Sequence, residues 1–123
     1  MGARILIVED HERSVWLEKA VLESAGFSVS GEDSGRAGLE QVRASKPDAV
    51  IIDIRLPDMS GIELANSIRS FSKVPIIFVT AVAAAAQMED IMMIPGCAVI
   101  QKPINTRTFA REVEKHISAC GGR

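Results

Sequence analysis

The feature that most constrains this chain is a regular alternation of short apolar runs with longer segments whose apolar residues recur at helical spacing. Residues 5–8 read Ile-Leu-Ile-Val, a β-branched run of the kind found in strands buried on both faces. Residues 12–25 then place Leu17, Ala20, Val21 and Ser24 on one helical face, with Gly26 as the C-cap. The alternation continues with a strand over 27–30 and a helix over 35–44 that packs through Ala37, Leu39 and Val42. Next come an apolar strand over 48–52, a helix over 61–70, and a strand over 74–79 whose Pro75 is tolerated because it stands at the beginning. A weaker helix within 83–93, a strand over 98–100 and a closing helix over 105–119 complete the series. Five strands alternating with five helices through short connections predict an α/β fold, with a parallel sheet, right-handed crossovers and helices on both faces.

At 123 residues the chain is one domain's worth, so one function on one fold, spanning residues 1–123, is expected. Apolar residues at 47% and charged residues at 24% argue against disorder. A formal net charge of -2 with no clustered basic stripe gives no reason to expect nucleic-acid binding. The longest apolar stretches are strand-sized, far below the ~20 residues that cross a bilayer. Acidic residues cut the N-terminal apolar run after four positions, unlike a signal peptide, and a cytoplasmic location is expected. Cys97 and Cys120 lack metal-like spacing and read as reduced thiols.

In open parallel sheets, ligands bind outside the carboxyl ends of the strands. There the sequence sets Glu9 and Asp10 after the first strand, Asp53 after the third, Thr80 after the fourth, and Lys102 with Pro103 after the fifth. Taken singly, each has a plainer reading as a cap, a turn former or a solvated charge. Taken together they form one rim. Three carboxylates in proximity repel unless a cation compensates them, and oxygen donors suit Mg2+. A lysine and a hydroxyl beside that cation supply what the oxygens of a transferring phosphoryl group need. Asp53 is the natural nucleophile, Glu9 and Asp10 hold the metal, and the backbone carbonyl of Arg55 completes the metal shell.

These residues stand in motifs that resemble the receiver domains of two-component response regulators. The motifs are Ile-Leu-Ile-Val-Glu-Asp at 5–10, Pro-Asp-Ala-Val-Ile-Ile-Asp-Ile-Arg-Leu-Pro-Asp-Met-Ser-Gly at 47–61, Val-Thr-Ala at 79–81 and Lys-Pro-Ile at 102–104. The resemblance covers residues 4–119. It implies a flavodoxin-like three-layer fold with sheet order 2-1-3-4-5, and phosphorylation of Asp53 by a histidine kinase or histidine phosphotransfer protein with Mg2+ or Mn2+. It also implies that Thr80 shifts toward the phosphate, that Lys102 pairs with it, and that a downstream protein binds through the fourth and fifth helices. A phosphorylation-dependent dimer is compatible with it. Such domains are not enzymes in the usual sense, since they catalyse only their own transfer and slow hydrolysis.

Several positions depart from the family pattern. Val99 stands three places before Lys102, where relatives often carry an aromatic switch, so ring rotation there cannot be the readout. Arg55 and Val82 flank the expected phosphate pocket; Arg55 is expected to pair with phosphate or with Glu12, and Val82 to limit water access. Met88, Met92, Met93 and Pro95 mark the fourth helix either as core-facing or as a mobile surface offering methionines to a partner. The main rival reading is a receiver domain cut from a longer DNA-binding regulator. A haloacid-dehalogenase-like phosphatase would need an aspartate where Arg55 stands. A degenerate receiver that binds without phosphate is disfavoured by the presence of all five rim residues.

Overall fold

The computed structural model describes residues 2–81 and 85–120. Its elements alternate as expected: β1 (Arg4–Val8), α1 (Glu12–Ser24), β2 (Ser28–Glu32), α2 (Gly35–Ser45), β3 (Ala49–Ile52), α3 (Gly61–Arg69), β4 (Ile76–Thr80), α4 (Ala85–Met92), β5 (Cys97–Gln101) and α5 (Phe109–Cys120). The strands form one parallel sheet in the order β2-β1-β3-β4-β5, the flavodoxin-like arrangement. Because the chain winds one way from β1 to β2 and the other way through β3, the carboxyl ends of β1 and β3 flank the reversal where a crevice forms.

Strand alternation divides the core into two layers. Leu6, Val8, Val50, Ile52, Ile76 and Phe78 face α2, α3 and α4, where they meet Val42, Leu64, Ile68, Ile91 and Ile94. Ile5, Ile7, Ala49, Ile51, Ile77 and Val79 face α1 and α5, where they meet Leu22, Phe109 and Val113. Apart from exposed Arg4 at the start of β1 and Thr80 at the end of β4, the three inner strands are therefore apolar and buried, as strands covered by helices on both sides must be. Edge strand β2 is mostly exposed.

The loop after β3 is fixed at both ends by hydrogen bonds. Asp58 accepts from the backbone N–H groups of Gly35 (2.8 Å) and Arg36 (2.9 Å), which caps α2 together with Ser34. Those same N–H groups hold the Asp58 carboxyl below the usual carboxylate range. Ser60 and Glu63 close a capping box at the start of α3. Gly61 lies so close to the carbonyl of Asp53 that a Cβ would collide with it, and its N–H donates to the Ile54 carbonyl (2.7 Å).

Two expectations are corrected here. The inner face of α1 is Glu18 and Leu22 with Val15 and Val21 beside them, whereas Ala20 and Ser24 are exposed and Leu17 is half-buried. The apolar tally selected the neighbouring face because the true one carries a glutamate. The closing helix begins at Phe109, four residues later than its sequence suggests. Asn105 holds the intervening turn, its side chain accepting from the N–H of Arg107 (2.9 Å) and its carbonyl from that of Phe109 (2.9 Å). The expected helix within 83–93 is present as α4, and residues 82–84 lie outside the described residues.

Glu18 is 1% exposed, and one of its carboxyl oxygens has no hydrogen-bond partner. Burial, reinforced by the nearby Glu9, pushes its carboxyl up to about 8. A carboxyl raised on folding binds more protons in the native state than in the unfolded chain. Its contribution to stability is therefore full below the ordinary glutamate value of 4.5 and is lost as pH rises toward about 8. Glu18→Leu is expected to flatten that decline and to raise the melting temperature at pH 9 by ~4 °C or more, the scale of about 1 kcal/mol in a domain of this size. Thermal melts of both proteins between pH 5 and pH 9 check this, and parallel curves would contradict it.

Candidate functional site

Hydrogen bonds between strand ends assemble the rim. The N–H of Asp53 donates to the Val8 carbonyl (3.1 Å), which sets Asp53 beside the residues that follow β1. The N–H of Lys102 donates to the Thr80 carbonyl (3.0 Å), which sets Lys102 beside the end of β4. The N–H of Glu9 donates to the Glu32 carbonyl (3.0 Å). Each expected rim residue thus sits at a strand terminus that parallel pairing brings level with its neighbours.

The side chains converge on one ammonium. Lys102 Nζ bonds Glu9 Oε2 at close range and donates to Asp53 Oδ2 at 3.2 Å. Asp53 Oδ1 accepts from the backbone N–H of Arg55 at 3.3 Å, so both oxygens of Asp53 accept a hydrogen bond. Glu9 and Thr80 are buried, at 3% and 2% exposure. Asp10 is exposed beside Glu9, and the two share an open cavity of about 610 Å3 with Glu12, Trp16, Lys19 and Glu32. The Lys102–Pro103 peptide bond is cis.

The electrostatics follow from burial and from that pairing. Burial pushes the Glu9 carboxyl up, and Lys102 works against the rise. Burial alone would lower Lys102, but Glu9 and Asp53 outweigh it and hold the ammonium above its ordinary value. Lys102 is therefore charged at neutral pH.

The carboxylates of Glu9, Asp10 and Asp53 are the oxygen donors the sequence assigns to a cation. Among the described residues no three His, Cys, Asp or Glu side chains are arranged as a closed metal site. Lys102 lies between two of the donors instead. Three carboxylates against one ammonium leave the rim negative, and an all-oxygen set fits Mg2+, which keeps several of its own waters.

Other expectations divide. Arg55 is exposed and, among the described residues, makes no ion pair with Glu12. Val99 is half-buried in β5, paired with Phe78 and packed against the α4 side of the core. Met88 packs inward, while Met92 at the end of α4 and Met93 just beyond it are 78% and 82% exposed. Val82 lies outside the described residues. The residue that sequence reasoning missed is Glu18, which lines a cavity of about 330 Å3 with Arg13, Leu17, Lys102 and Pro103. Its only signal was a position four before buried Leu22 and three after Val15. Among the described residues no helix is long and apolar enough to cross a membrane.

Comparison with known proteins agrees with the geometry. The profile of the response regulator receiver domain matches residues 5–114. The polar-differentiation response regulator DivK of Brucella ovis is 31% identical over 121 residues, covering 95% of this chain and 98% of DivK. A CheY-like receiver domain from Methanospirillum hungatei superimposes with a TM-score of 0.88 at 27% identity, covering 97% of this chain and 96% of that one. The signal receiver domain of a modulated diguanylate cyclase from Desulfovibrio desulfuricans gives 0.87 at 26% identity, covering 97% and 96%. With a rim of Glu9, Asp53, Thr80 and Lys102 at the carboxyl end of a 2-1-3-4-5 sheet, this chain belongs to the response regulator receiver domain family of two-component signalling.

Proposed function

We propose that residues 1–123 form a receiver domain that accepts a phosphoryl group on Asp53 from a histidine kinase or histidine phosphotransfer protein in the cytoplasm. The observation that carries the reading is the Lys102 ammonium held between Glu9 and Asp53. In the transfer, a carboxylate oxygen of Asp53 attacks phosphorus, the P–N bond of the donor phosphohistidine breaks, and the imidazole nitrogen leaves with the bonding pair. Lys102 meets the negative charge of the incoming phosphoryl oxygens, and the Thr80 hydroxyl, at the neighbouring strand end, donates to them.

Glu9, Asp10, Asp53 and the Arg55 carbonyl would hold Mg2+ or Mn2+. When bound, the cation neutralises charge on the phosphoryl oxygens. The exposed Arg55 guanidinium, which has no ion-pair partner among the described residues, would meet the phosphoryl group as well. Val99 leaves no ring to rotate, so the phosphorylated state is read through Thr80 and α4. A downstream protein binds through α4 and α5, with exposed Met92 and Met93 as adaptable apolar contacts.

Incubation with acetyl phosphate and Mg2+ is expected to add the mass of one phosphoryl group to the wild type, and nothing to Asp53→Asn or to wild type without the metal. Intact-mass spectrometry reads this directly, and unmodified wild type would leave a binding module without phosphoryl chemistry. Lys102→Met keeps the length of the side chain and removes its charge. Its initial rate of phosphorylation is expected to fall about 100-fold, in line with loss of one preorganised donor, while its circular dichroism spectrum stays native. An unchanged rate would remove Lys102 from the mechanism.

A further inference from the structure

Alternation along β1 turns Glu9 toward the same side of the sheet as Ile5 and Ile7, the side covered by α1 and α5. On that side Ser14 and Glu18 of α1, four residues apart and hence on one helical face, line a cavity together with Lys102, the partner of Glu9. The Ser14 hydroxyl is near enough to favour ionised Glu9, and Glu9 is near enough to Glu18 to help raise its carboxyl. Glu9 gives Oε2 to Lys102, while its Oε1 and the Oε1 of Glu18 are both buried without a partner. Unpartnered buried polar atoms are rare, and an apolar side chain at position 18 would continue the layer formed by Val15, Val21 and Leu22. The layer therefore gives up packing in order to place a carboxyl behind Glu9.

We propose that Glu18 is a positioning residue, whose carboxyl holds Glu9 from behind and so sets how Glu9 presents its oxygens to a divalent cation and to Lys102. This rests on the receiver reading given above, in which Glu9 is a metal donor. Glu18 meets neither cation nor phosphoryl group, and acts only through Glu9. Partners that orient metal-binding side chains in this way typically change metal affinity by about 10-fold to 100-fold when removed. Glutamine can stand in for Glu18 because its amide is of similar size and also donates a hydrogen bond. Leucine fills the space and donates nothing.

The test is a Mg2+ titration of wild type, Glu18→Gln and Glu18→Leu at pH 7. Binding is read by calorimetry and by the fluorescence of Trp16, the single tryptophan, which lines the cavity of Glu9 and Asp10. The half-saturating Mg2+ concentration for phosphorylation by acetyl phosphate is measured alongside. Glu18→Leu is expected to need about 10-fold more Mg2+ in every readout, and Glu18→Gln to stay within about 2-fold of wild type. If Glu18→Leu does not fold, Glu18→Met carries the same comparison. Equal Mg2+ dependence in all three proteins would overturn the positioning role, and so would equal weakening of both variants. A wild type that neither binds Mg2+ nor is phosphorylated would instead overturn the receiver reading itself, an outcome visible before any variant is compared.

Discussion

The structure of the site depends on one interaction, the Lys102 ammonium that bridges Glu9 and Asp53. Carboxylates gathered at the ends of adjacent strands repel one another, and burial of Glu9 makes its charge harder to hold. Lys102 offsets both effects, and in doing so is itself kept charged although it is largely enclosed. The backbone makes the convergence geometric. Asp53 is tied to Val8 and Lys102 to Thr80, so the reach from the fifth strand to the first is fixed by sheet register. In the proposed reading, a phosphoryl group arriving at Asp53 would meet an ammonium already oriented toward that carboxylate, so little reorganisation would be required of the protein.

A second tension lies behind this pair. Most of the inner surface of α1 is ordinary packing against β1 and β3, yet its centre holds Glu18. Burial keeps that carboxyl protonated over much of the neutral range, so it adds no full negative charge to a rim that has three already. It does add a polar group next to Glu9 at the expense of apolar packing. Such local departures from the best core are common where a fold serves a site, because the site asks for orientation and the core asks only for volume.

Much of this was legible in the sequence. The runs at 5–8, 49–52 and 76–79 are apolar and rich in β-branched residues, and that pattern has few other outcomes once helical segments alternate with them. The rim residues were legible for the same reason, since a polar group placed directly after such a run must appear at the carboxyl edge of the sheet. What could not be read was set by tertiary context. The face of α1 turned inward carries a glutamate, so counting apolar residues pointed to the neighbouring face. The start of α5 was displaced by an Asn105 turn that competes with helix. The alternative pairing of Arg55 with Glu12 was plausible by charge, but the described residues hold no such pair. Met92 and Met93 follow the inward Met88 by four and five residues, and their exposure depended on how α4 sits against the sheet.

The central claim is that Asp53, held opposite Lys102, is the group that carries the phosphoryl. It is tested most directly by trapping the acyl phosphate chemically. Borohydride reduction of the protein after reaction with phosphodonor and Mg2+ converts an aspartyl phosphate to homoserine, and peptide mass mapping locates the change. Homoserine at position 53, absent without phosphodonor, is the predicted result. Reduction at Glu9 or Asp10 with Asp53 intact, or no reduced residue anywhere in the chain, would contradict the account.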